Sequence, residues 1–172
     1  TTETPVPLGD PFILLHDGVY YAYGTHSNKG IEFYTSDDLL TWKYGGLALN
    51  KEDSWADRWF WAPEIYFVNG KFYMYYSAGP FFRDKKEPMI ADEKCIDNSL
   101  FIDDNGTPYL SFVRFNDGNN IWIAELEKDL ITIKKETMHP CLHVTQEWEK
   151  VWPRVNEGSY ILKHNGIYYM SY

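Results

Sequence analysis

Ile65-Tyr66-Phe67-Val68-Asn69-Gly70-Lys71-Phe72-Tyr73-Met74-Tyr75-Tyr76 is an apolar run, an Asn-Gly pair and a tyrosine-rich run. Asn-Gly between β-rich runs is the strongest short hairpin signal, because both central residues of the tight turn need positive φ. The same unit recurs at 12–23 around Asp17-Gly18, at 100–112 around Asn105-Gly106, and at 160–172 around Asn165-Gly166. One such hairpin is common. Four in register are a repeat.

A second element recurs further along. Asp38-Leu39-Leu40-Thr41-Trp42 follows the first hairpin and Asp129-Leu130-Ile131-Thr132-Ile133 the third, 20 and 23 residues after their turn glycines. Each unit is therefore expected to hold four strands: the hairpin, a third strand (31–35; 121–126), a turn and a fourth strand. Four-stranded antiparallel units at this spacing describe the blades of a β-propeller, an all-β fold. No stretch carries helical periodicity over 11 or more residues.

The turn glycines are 52, 36 and 60 residues apart, so the second unit is short by about one strand and its turns. After Tyr76-Ser77-Ala78 the chain passes directly to Gly79-Pro80-Phe81. Because open sheet edges do not close a propeller, the expectation is a single catalytic domain over 1–172. It would hold about three and a half blades, with residues missing near 78–79 and after 172.

Bulk properties narrow the function. A net charge of −9 leaves no basic surface for phosphates, which excludes nucleic acid as a partner. No apolar run reaches the roughly 18 residues that cross a bilayer as a helix, so no membrane partner is expected. The aromatic fraction of 18% suits strands and equally suits clefts in which flat rings stack on sugars. Cys95 and Cys141 form neither a disulfide framework nor a zinc motif. A secreted, periplasmic or cytoplasmic location all stay open.

Three acids precede the hairpins. Asp10 lies in Gly9-Asp10-Pro11-Phe12, Asp97 in Ile96-Asp97-Asn98-Ser99, and Glu157 in Asn156-Glu157-Gly158, at 8, 9 and 9 residues before their turn glycines. Equivalent places in successive blades converge on one end of a propeller axis. Any one acid alone reads as a turn or cap residue; three in register read as a pocket. Glycoside hydrolysis needs one protonated carboxyl for the leaving oxygen and one ionised carboxylate to activate water. A third acid raises the donor's pKa by like-charge repulsion.

With these motifs in place the sequence resembles glycoside hydrolase family 43, the five-bladed propellers that include β-xylosidases, α-L-arabinofuranosidases and arabinanases. The resemblance is carried by Asp10-Pro11-Phe12, Ser36-Asp37-Asp38-Leu39 with Trp42, Trp61-Ala62-Pro63-Glu64, Ile96-Asp97-Asn98-Ser99 and Asn156-Glu157-Gly158. It implies an inverting, exo-acting glycosidase that releases xylose or arabinofuranose from plant polysaccharides or oligosaccharides. Asp10 would be the general base, Asp97 the pKa modulator and Glu157 the general acid. It also implies a longer strand ahead of Gly79-Pro80-Phe81, and a fifth blade that supplies a central histidine beside a metal ion or water. Trp61, His26 and Arg154 are the candidate sugar contacts. The chemistry requires no cofactor; structural calcium is compatible with it, but no residue set here assigns a metal. The alternative is a non-catalytic propeller that binds carbohydrate or protein, for which an intact acid triad has no use.

Overall fold

The structure is a computed structural model that describes residues 6–25, 27–79 and 95–172. It divides into two compact units, Thr1–Lys86 and Glu87–Tyr172. Each is described by itself.

The first unit opens with a four-stranded antiparallel sheet of β1 (Gly9–His16), β2 (Val19–Thr25), β3 (Gly30–Ser36) and β4 (Lys43–Asn50), in that spatial order. A two-stranded sheet follows, β5 (Arg58–Val68) with β6 (Lys71–Gly79). Tyr23, Ile31, Phe60 and Ile65 are buried together between sheet and hairpin. Outside that core His16 lies against two rings of the second hairpin, with centroids 4.3 Å from Phe67 and 4.9 Å from Phe72.

The second unit repeats the plan. Its sheet holds β7 (Cys95–Ile102), β8 (Pro108–Phe115), β9 (Asn119–Glu125) and β10 (His139–Leu142), and its hairpin is β11 (Tyr160–His164) with β12 (Ile167–Ser171). Leu110, Phe112, Val113, Ile121 and Ala124 fill its interior. The expected repeat of four-stranded antiparallel blades is thus present. Two blades are complete, and two are represented by their inner hairpins among the described residues.

The turns follow the residue chemistry with one difference. Asp17-Gly18, Asn69-Gly70 and Asn165-Gly166 all have positive φ at both positions, the mirror-image turn that matches strand twist. In the third hairpin only Gly106 is left-handed. Its N–H bonds to the Asp103 carbonyl at 2.8 Å, which closes a longer loop between Ile102 and Pro108. Pro108 and the side chain of Asp103, which is engaged elsewhere, displace the two-residue turn expected from Asn105-Gly106.

Both copies of the second repeated element fold alike. The Asp38 carboxylate accepts the N–H groups of Leu40 and Thr41 at 2.8 and 2.7 Å, and Asp129 accepts those of Ile131 and Thr132 at 2.8 and 2.9 Å. Leu39 and Leu130 are left-handed in each. These bonds hold both aspartates below the usual carboxylate range. The fourth strand follows directly in the first sheet. In the second it is delayed: Leu126 and Ile133 make an isolated bridge, a 3-10 turn intervenes, and β10 pairs only from His139.

Ala78 and Gly79 lie inside β6, where Gly79 pairs with Arg58 and Ser77 with Trp61. Residues 80–94 lie outside the described residues.

Candidate active site

The acids stand where the inner strands begin: Asp10 is the second residue of β1, Asp97 the third of β7, and Glu157 lies three residues ahead of β11. In β1, Gly9 pairs with Thr25 and Phe12 with Tyr23, so three steps on one strand face two on the other. The extra residue makes a β-bulge at Asp10-Pro11, and Asp10 is left-handed with φ +46°. In β7 the step from Ile96 to Ser99 faces that from Val113 to Ser111, and Asp97 is left-handed with φ +54°. The aspartate conformation repeats in both units.

Two further bulges show what belongs to the scaffold. In β5, Arg58 pairs with Gly79, Trp61 with Ser77 and Glu64 with Tyr75, and the left-handed residues are Trp59 with φ +56° and Ala62 with φ +42°. Non-glycine residues enter this region at a cost, least for Asp and Asn, whose short polar side chains bond locally. The bulge is therefore a property of the blade. The carboxylate is what two of these four bulges add to it.

Local contacts set these bulges in place. Gly24 faces the Asp10 bulge, and a Cβ there would sit 2.5 Å from the Gly9 carbonyl oxygen, so only glycine admits the close approach. Thr25, paired with Gly9, accepts the Ala62 N–H on its Oγ1 at 2.9 Å. One threonine thus ties the strand carrying Asp10 to the segment carrying Trp61. Both Asp10 and Trp61 are exposed.

Trp61 has an exposed aromatic neighbour on the same strand. Trp59 is 49% exposed and its ring centroid lies 6.0 Å from that of Trp61, at 31°. Phe60 between them is buried. The alternation 59 out, 60 in, 61 out is the period-two signal that could have found it. The Arg58 guanidinium covers the outer ring of Trp59 at 5.4 Å.

In the second unit a buried hydroxyl chain ties the two acid-bearing segments. The Ser159 hydroxyl donates to that of Ser111 at 2.9 Å, and Ser111 donates to the Ser99 carbonyl at 3.4 Å. Asp97 and Glu157 each stand two residues ahead of a serine in this chain. Glu157 itself is exposed, and its Oε2 accepts the Asn119 side-chain N–H at 3.1 Å. Asn119 carries no signal in the sequence that would have marked it.

The remaining expectations resolve unevenly. Arg154 donates to Asp117 at 2.8 Å, so its nearest acid is a turn residue. His26 lies outside the described residues. Asp10 belongs to the first unit, Asp97 and Glu157 to the second. The acidic turn Asp103-Asp104 binds the Lys163 ammonium, at 2.6 and 2.8 Å, in place of a cation. Among the described residues no group of three or more His, Cys, Asp or Glu is placed to hold a metal. A cavity of about 310 Å3 in the second unit is lined by Phe101, Tyr109, Ile123 and Ile161 among others, with neither Asp97 nor Glu157 in its wall.

The family model described as glycosyl hydrolases family 43 matches residues 4–172. A solved endo-1,4-beta-xylanase from Bacteroides thetaiotaomicron is 45% identical, with a TM-score of 0.86 over 95% of this chain and 62% of its own. A solved thermostable family-43 glycoside hydrolase is 32% identical, with a TM-score of 0.84 over 99% of this chain and 66% of its own. Among curated proteins, the extracellular exo-alpha-(1->5)-L-arabinofuranosidase ArbA of Cellvibrio japonicus is 27% identical over 73% of this chain and 45% of its own length. The chain thus spans about half the length of that relative. The match runs over 160 residues yet takes in 73% of a 172-residue chain, so the arabinofuranosidase carries residues within it that have no counterpart here.

Proposed function

Because the chain belongs to glycosyl hydrolases family 43, we propose that it cleaves pentose-containing plant polysaccharides or their oligosaccharides by inverting hydrolysis. The observation that carries this reading is the pair of left-handed bulges, in separate units, that each present an aspartate.

In the proposed reaction Glu157 donates its proton to the glycosidic oxygen as the bond to the anomeric carbon breaks. Asp10 takes a proton from the water that attacks the opposite face of the sugar. Asp97 keeps Glu157 oriented and disfavours its ionised form through its own negative charge. The exposed Trp61 offers a flat face to the sugar ring. Proton transfer and water attack account for the whole reaction, and no cofactor is needed.

The 45% identity to a protein named as a xylanase weights the substrate toward xylose, and arabinofuranose is the second arm. The test is hydrolysis of 4-nitrophenyl β-D-xyloside against 4-nitrophenyl α-L-arabinofuranoside, with proton NMR of the first-formed sugar. Turnover of the xyloside with the anomeric configuration inverted is expected. Retention would remove Asp10 as a base, and binding without turnover of either would favour the non-catalytic propeller.

A further inference from the structure

We propose that Asn119 is a positioning residue for Glu157, its side-chain amide holding Oε2 so that the acid's proton sits on Oε1 and faces the leaving oxygen. This rests on the reading of Glu157 as the general acid.

The contact is built from both sides. Asn119 opens β9, and its main chain is zipped to the segment before the acid: Asn119 N–H donates to the Arg154 carbonyl at 2.9 Å, and Asn156 N–H donates to the Asn119 carbonyl at 2.9 Å. That bridge to 154–156 fixes Glu157 one residue beyond a paired amide. Ser159, two residues further on, is pinned to Ser111. The turn ahead of Asn119 is equally fixed. Asn120 is fully buried; its amide donates to the carbonyls of Asn116 and Gly118, and its oxygen accepts the Val144 N–H at 2.8 Å. A second clasp, Arg154 to Asp117, joins the same two segments. The Asn119–Glu157 bond at 3.1 Å thus joins side chains whose backbones are both constrained.

The donor's chemistry suits an acid. A carboxyl held by Lys or Arg is stabilised as the anion and gives up its proton before it reaches the substrate. A neutral amide N–H binds a protonated carboxyl through its carbonyl-type oxygen and leaves the hydroxyl oxygen free. Orientation matters at this step, because displacement by about 1 Å can cost roughly 10²-fold in rate.

The test compares leaving groups, using the 2,4-dinitrophenyl and unsubstituted phenyl glycosides of xylose and of arabinofuranose with the full-length protein. Dinitrophenolate departs without protonation, whereas phenol needs the acid. Asn119→Ala is expected to lower kcat on the phenyl glycoside about 10–100-fold and on the dinitrophenyl glycoside less than about 3-fold, with KM little changed. Asn119→Asp keeps the side chain's shape and guards against a folding failure. It should lose at least as much on the phenyl glycoside, because the Glu157 proton can then be shared with the new carboxylate. An equal loss on both leaving groups, or no loss, overturns the proposal. Glu157→Gln in parallel separates the two readings: if it too loses equally on both glycosides, Glu157 is not the acid and the parent reading fails. A leaving-group-dependent loss for Glu157→Gln with none for the Asn119 variants overturns the positioning role alone.

Discussion

The two units fasten the same parts with different chemistry. In the first, the hairpin β5–β6 is held to its sheet by Phe60 and Ile65 buried against Tyr23 and Ile31, by rings around His16, and by the neutral Thr25–Ala62 bond. In the second, β11–β12 is held by buried serines and by a charged cluster. Lys163 bridges Asp103 and Asp104, and the Tyr168 hydroxyl donates to Asp103 at 2.8 Å. Each sheet nonetheless presents an aspartate from the same bulge. The acid's position is therefore set by the inner strand of the blade and not by how the next hairpin is attached.

The sharpest way to break that comparison is to remove the acid and keep the bulge. Asn favours the left-handed region as Asp does, so Asp10→Asn and Asp97→Asn should melt within about 2 °C of the wild type. Asp10→Asn should lose about 10³-fold in kcat, as expected for an essential base, and Asp97→Asn roughly 10–100-fold, as expected for a group acting through Glu157. Steady-state kinetics beside calorimetry check both. A stability loss as large as the activity loss in either variant would make the carboxylate part of the fold.

Much of this architecture was legible because the signals were local. Asp17-Gly18, Asn69-Gly70 and Asn165-Gly166 specify their turns through φ alone. Asp38 and Asp129 specify theirs by capping two N–H groups each. The acids were found by their spacing from those turns. That spacing placed them where the inner strands begin, but the bulges that hold Asp10 and Asp97 are visible only once the partner strand is known. The alternation of exposed Trp59 with buried Phe60 is a period-two pattern that points Trp59 outward. Asn119 was silent, since its partner stands 38 residues away and the contact exists only after two segments zip together.

A smaller effect separates the fastenings by pH. The Lys163 ammonium, with the Tyr168 hydroxyl and the Asp104 N–H, lowers the Asp103 carboxyl to about 2. A depressed carboxyl contributes stability above its unfolded pKa of about 3.9 and loses it as pH falls through the folded value. The second unit should therefore loosen between about pH 4 and pH 2, a loss in which the neutral Thr25–Ala62 bond of the first has no share. Asp103 and Asp104 conversely raise Lys163, whose contribution is present below the ordinary lysine pKa and lost in strong alkali. Urea midpoints of the wild type and Lys163→Met across pH 2–6 check this: the variant's curve should be flatter below pH 4. Parallel curves would mean that the cluster is screened by solvent.

The smallest expected effect tests the scaffold directly. Ala62 has the same left-handed backbone as Asp10 and Asp97 but no polar side chain to bond locally, so it bears the conformation at the full cost of its Cβ. Glycine removes that cost, about 1–2 kcal/mol, and adds back about 0.5–1 kcal/mol of unfolded-chain entropy. Ala62→Gly keeps the N–H that Thr25 accepts. It should gain about 0.5 kcal/mol, a rise of roughly 2–4 °C in melting temperature for a unit of this size. Asp10→Gly should gain less, because Asp tolerates the region better, and should abolish turnover with the base. The pair would then show stability and activity moving apart at equivalent positions of neighbouring hairpins. Destabilisation by Ala62→Gly would mean that the Ala62 Cβ packs to more effect than the strain costs, and the four bulges would no longer be one device.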